Sequence, residues 1–110
     1  MRMHESCAMI QYVLARYGEG RLQPAESEPA YAHFLQWLWF SESTFQRPLG
    51  EVTNHRREFN PELPDVVAEM KGRATQCVDA LNDALSGRPY LLGDSMTAAD
   101  ISNAYVLRGY

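Results

Sequence analysis

The feature that most narrows the fold is a long apolar stripe of helical period. Val67, Met70, Ala74, Cys77, Val78, Leu81 and Leu85 recur at spacings of three and four from Asp65 onward. Side chains at that spacing gather on one side of a 3.6-residue helix. About twenty such residues span ~30 Å. Ser86 and Gly87 stop the helix, and Pro89 prevents its return. A stripe of this length must be covered by other elements, and the remaining segments also read as helices, so the expected fold class is all-α, a helical bundle.

An earlier helix is predicted from about Glu5 to Tyr17, with Cys7, Ile10, Leu14 and Tyr17 on one side and Gly18 as a left-handed stop. Gly20, Pro24, Ser27 and Pro29 interrupt any period between Glu19 and Pro29, which reads as a connection. A second helix follows, with Ser27 as its N-cap and Pro29 in its first turn. It carries Tyr31, Phe34, Leu35, Leu38 and Phe45, and Trp37, Trp39 and Phe40 add enough bulk to require burial on more than one side. Pro48 is expected to end or kink it. The polar stretch from Leu49 to Leu63 is expected to be a frayed helical end and then a loop.

The most specific local signal is Met96-Thr97-Ala98-Ala99-Asp100-Ile101. Thr97 can cap the amide of Asp100 while the Asp100 carboxylate reaches back to the amide of Thr97, and Met96 and Ile101 are spaced as a hydrophobic staple. This capping box opens a last helix through Ala104, Tyr105 and Leu107.

Charge and composition exclude several functions. Ten basic against fourteen acidic residues give a net charge of −4, which offers no electrostatic footprint for nucleic acid or an anionic membrane. The longest apolar run, Phe34 to Phe40, contains Gln36 and falls far short of the roughly 20 residues a bilayer requires. With no secretory leader pattern after Met1, the expected compartment is the cytoplasm. Cys7 and Cys77 both fall on apolar helical positions, which suits reduced core thiols. His4, His33 and His55 lack ligand spacing, so no metal is expected. Flanking Glu51 and Glu58 offset the only basic cluster, His55-Arg56-Arg57.

Three stretches together resemble the cytosolic, thioredoxin-fold type of glutathione transferase. The opening His4-Glu5-Ser6-Cys7-Ala8-Met9-Ile10-Gln11-Tyr12, followed by Tyr17-Gly18 and Leu22-Gln23-Pro24, is similar to the family's last glutathione-domain helix and its linker. Gln36-Trp37-Leu38 through Pro48-Leu49 is similar to the start of the helical domain in bacterial members. Arg88-Pro89-Tyr90-Leu91-Leu92-Gly93-Asp94 with the capping box resembles the family's R-P-Y-L-x-G-x-x-x-T-x-A-D-I segment. The resemblance implies that 1–18 is the last helix of a thioredoxin-like domain otherwise missing, 19–29 a linker, and 30–110 an incomplete helical C-terminal-type domain, truncated at both ends.

The resemblance also implies a function. Family members conjugate the glutathione thiolate to electrophiles, and their Glu-Ser pair holds the γ-glutamyl amine and carboxylate, which assigns those roles to Glu5 and Ser6. A helix start can supply amides and a positive dipole end to such an anion. Ser6 as a plain cap for the helix is the competing reading. Trp39, Ser43, Gln46 and Arg47 fall on the side that faces the electrophile in the family, with packing for Trp39 and a solvated stripe for the others as the alternative. Neither a thiol-activating residue nor the family's cis-proline is present, so no catalytic residue is assigned and activity is expected to be weak or absent. A stand-alone helical interaction module of the same fold is the rival function. Glutathione is the implied substrate, and a homodimer, with helix exchange as one route, is expected to cover the first helix's apolar side.

Overall fold

Five α-helices and one π-helical turn make up the computed structural model, which describes residues 1–110. Helix α1 is Ser6–Tyr17 and α2 is Ala30–Trp39. The π-helical turn, Phe40–Phe45, continues directly into α3, Gln46–Glu58. Helix α4 is Pro64–Ala84 and α5 is Ala98–Leu107. No strand is present; Tyr90 and Gly93 exchange two backbone hydrogen bonds of 3.1 Å in a tight turn before α5.

The core is assembled around the central helix. Phe34, Leu38 and Phe45 are fully buried, joined by Cys7 and Leu14 from α1, Cys77 and Leu81 from α4, and Ala98, Ala99 and Val106 from α5. Burial of each large side chain contributes about 1.5–3 kcal/mol. The small Ala98 and Ala99 let α5 approach α2 closely, and Asn103 bridges the two by donating from Nδ2 to the Trp37 carbonyl at 2.8 Å. Helices α3 and α4 form the second extensive pairing. The result is a slab of 51 × 41 × 18 Å, about two helix diameters thick. Its radius of gyration of 16.0 Å exceeds the ~13 Å of a rounder domain of similar length.

The long stripe behaves as its spacing predicts, with Val67, Ala74, Cys77 and Leu81 buried along α4. Both cysteines are reduced and buried. The capping box is present, with Thr97 N–H donating to Asp100 Oδ2 at 2.8 Å and Ala99 N–H donating to Thr97 Oγ1 at 3.3 Å. Met96 and Ile101 stay about half exposed, at 45% and 51%, outside the core.

Several expectations are corrected. Pro48 neither ends nor breaks the central helix, because the π-helical turn interrupts the α ladder just before it. Pro48 therefore falls in the first turn of α3, a part of a helix in which proline is tolerated. The expected frayed segment is helical as far as Glu58, leaving a short connection to α4. Buried His55 secures that connection by accepting from Leu63 N–H at 2.9 Å and stacking on Phe59. Ser27 does not cap α2; Pro29 holds the N-cap position, and the Glu28 side chain closes the preceding turn by accepting from Ala25 N–H. Gly18 is right-handed, with φ −73°, and its lack of a side chain answers a close approach, since a Cβ there would lie 2.4 Å from Leu14 O. Tyr17 is 61% exposed and does not join the core.

Candidate functional site

The start of α1 poses a specific electrostatic problem. Its first-turn amides lack intrahelical acceptors, and Glu5, at the N-cap, makes no side-chain cap. Glu5 instead has φ 70°, an uncommon conformation for a residue with a side chain, and such strain tends to concentrate at functional sites. The missing acceptor comes from the π-helical turn, where Glu42 Oε2 accepts from Ser6 Oγ at 2.6 Å and from Cys7 N–H at 3.1 Å. The Ser6 hydrogen bond, followed by that of Cys7, holds the Glu42 carboxyl below its usual range. A carboxylate therefore sits on the positive end of the α1 dipole, as electrostatics favours.

Cys7 lies beneath this contact. Its Sγ donates to the Leu38 carbonyl at 3.3 Å. Burial first, and then the neighbouring Glu42, push the thiol up to about 11, so it stays protonated and is a poor nucleophile. Trp39 is 38% exposed and donates from Nε1 to Gln11 Oε1 at 2.9 Å, a tie between α2 and α1 rather than core packing.

The four residues expected near the electrophile are only partly brought together. Ser43 and Arg47 line one hollow of about 650 Å³ between the π-helical turn and α4, shared with Phe40, Met70, Arg73 and Gln76. The Ser43 hydroxyl also donates back to the Trp39 carbonyl at 2.8 Å. Gln46 opens onto a different recess beside Tyr105 and Arg108, and Trp39 lines neither. Thr97 and Asp100 are occupied in capping α5. Sequence reasoning missed Glu42. It lies one helical turn beyond Leu38, whose carbonyl meets Cys7, but nothing local shows that a segment 36 positions earlier folds against it.

The Glu42 contact carries a pH prediction. Because the folded-state value is lowered, its stabilisation is fully present above the ordinary glutamate range and is lost as pH falls through the lowered value. Thermal unfolding of wild type and Glu42→Gln should therefore show a wild-type advantage at pH 7 that shrinks towards zero as the pH falls through that lowered value, below the ordinary glutamate range. An advantage constant over that range would contradict the assignment.

With this geometry in view, comparison with known proteins is informative. Residues 64–109 match the family model of the glutathione S-transferase C-terminal domain. The chain is 31% identical over 115 residues to glutathione S-transferase PM239X14 of Arabidopsis thaliana, covering 91% of this chain and 49% of that protein. It is 32% identical over 97 residues to elongation factor 1-gamma 3 of Oryza sativa subsp. japonica, covering 88% and 23%. The chain thus spans about half or less of the curated relatives it matches. Among solved structures, the glutathione transferase URE2P8 of Phanerochaete chrysosporium with oxidised glutathione is 27% identical, with a TM-score of 0.85 over 97% of this chain and 50% of that one. A glutathione transferase family member from Pseudomonas fluorescens, with two glutathione bound, is 25% identical, with a TM-score of 0.85 over 98% and 47%.

The fold is that of the helical C-terminal domain of glutathione transferases. These matches support a glutathione transferase family for the chain, and its structural neighbours include proteins crystallised with glutathione. The relatives come from plants, fungi and bacteria, so the expected affinity to bacterial members in particular is not singled out. No helix is long and apolar enough to cross a membrane.

Proposed function

We propose that the chain is the helical part of a glutathione transferase-like protein. Residues 1–18 then correspond to the last helix of a glutathione-binding domain, 19–29 to a linker, and 30–110 to the helical domain. In this reading Ser6 receives the γ-glutamyl carboxylate of glutathione and Glu5 its amine. Ser43 and Arg47, which share a hollow, form the electrophile side, and Trp39 and Gln46 take a peripheral part. The observation that carries the reading is the carboxylate already gathered by the Ser6 hydroxyl and the Cys7 amide, since the same donors suit a ligand carboxylate.

Conjugation requires a donor that stabilises the glutathione thiolate. Buried Cys7, whose S–H is already donated to the Leu38 carbonyl, does not supply one, and the 110 residues by themselves are expected to conjugate weakly or not at all. Met9, Tyr12, Val13 and Tyr17 leave an apolar strip exposed on α1, which favours a homodimer, with helix exchange as one route, in the cytoplasm.

Retention on immobilised glutathione tests the reading. Wild type should be retained and eluted by free glutathione, while Ser6→Ala should lose most of its retention. A second reading, a helical interaction module, is favoured by the similarity to an elongation factor 1-gamma. That reading predicts no retention of either form.

A further inference from the structure

We propose that Glu42 is a built-in competitor for the glutathione half-site, its carboxylate holding in the free protein the seat that the ligand's γ-glutamyl carboxylate takes when glutathione binds. The proposal rests on the reading of Glu5 and Ser6 as that half-site.

Hydrogen-bond supply makes the competition unavoidable. A serine hydroxyl has one hydrogen to donate, as does a backbone amide. Ser6 Oγ spends its hydrogen on Glu42 Oε2 at 2.6 Å, and Cys7 N–H spends its own on the same oxygen at 3.1 Å. Both are charge-assisted bonds of the stronger kind. A second carboxylate at the same donors would stand within a few ångströms of the first, and like charges so placed repel. Glutathione must therefore displace Glu42 to use Ser6.

The way Glu42 is mounted allows displacement. It projects from the π-helical turn Phe40–Phe45, and such turns recur at functional sites because they re-aim a side chain without ending the helix. Glu42 is only partly buried, while its neighbours Ser41 and Phe45 are anchored in the interior. Rotation of the Glu42 side chain can thus vacate the seat while the turn stays fixed. A tethered carboxylate competes at an effective concentration in the millimolar range, so it weakens the apparent affinity for any free carboxylate ligand. Glutathione brings a second handle, its ammonium group at Glu5, which a simple carboxylate lacks. Displacing Glu42 costs every carboxylate ligand the same, so the contact at Glu5 is what sets zwitterionic ligands above plain acids.

The test is calorimetric titration of glutathione into the full chain as wild type, Glu42→Gln, Ser6→Ala and the charge-matched control Glu51→Gln. Glutamine keeps the shape of Glu42 but not its charge, so Glu42→Gln should bind about tenfold more tightly than wild type. Glu51→Gln should match wild type, and Ser6→Ala should bind weakly. Should Glu42→Gln fail to fold by circular dichroism, Glu42→Asp, too short to reach Ser6, takes its place with the same expected gain. Wild-type binding that depends on Ser6 but is unchanged or weakened in the Glu42 variant overturns the competitor and leaves the half-site standing. No binding in any form overturns both.

Discussion

Replacing Asp100 by alanine is expected to destabilise the fold by about 3 kcal/mol, read as a lowered midpoint in urea with an unchanged slope. One carboxylate serves two segments. Oδ1 accepts from Leu91 N–H at 2.8 Å, fixing the turn before α5, and Oδ2 accepts from Thr97 N–H at 2.8 Å, fixing the helix start. Alanine strands both donors, and an unsatisfied buried donor costs about 1–3 kcal/mol. The lost reciprocal cap adds to this. Asp100→Asn keeps one oxygen and should lose about half as much. A near-neutral alanine variant would mean that water satisfies both amides.

Phe45→Ala should have an effect at least as large, about 3–5 kcal/mol, because truncating a buried phenylalanine removes transfer energy and leaves a cavity. Phe45 is fully buried at the junction of the π-helical turn and α3, with Phe40 6.4 Å away between ring centroids. Typical domain stabilities are about 5–15 kcal/mol, so this variant is expected to give up a large share of the fold's stability. Calorimetry should show a melting transition well below that of wild type, and a shift of only a few degrees would refute the placement of Phe45 in the core.

What the sequence discloses follows the range of the interaction. The α4 stripe and the Thr97–Asp100 box are local, and both are found where spacing places them. Pro48 misleads because the rule for proline assumes an unbroken α ladder, and no local pattern announces the π-helical turn that restarts the count at Gln46. Likewise the polar run from Glu51 to Glu58 looks frayed because its only buried side chain is His55, whose partner, Leu63 N–H, lies beyond the helix. The candidate site was half legible. Glu5 and Ser6 stand together in a motif, whereas Glu42 meets them only through tertiary folding. Trp39, Ser43, Gln46 and Arg47 follow one another along the run from α2 through the π-helical turn into α3, but rotation along it directs Trp39 and Gln46 to other surfaces.

The attachment of α1 has a consequence for how the molecule opens. Beyond the apolar side chains Cys7, Ile10 and Leu14, its side-chain links to the body are the Glu42 contacts, the Cys7 thiol on Leu38 and the Trp39–Gln11 bond. All of these partners lie on one short stretch, Leu38 to Glu42. Helix α1 is thus a unit that can detach sub-globally, leaving the α2–α5 and α3–α4 pairings intact. Loss of the Glu42 carboxylate from Ser6 and Cys7 would lower the free energy of that opening first, so the docking of α1 and the displacement of Glu42 proposed above draw on the same small set of bonds.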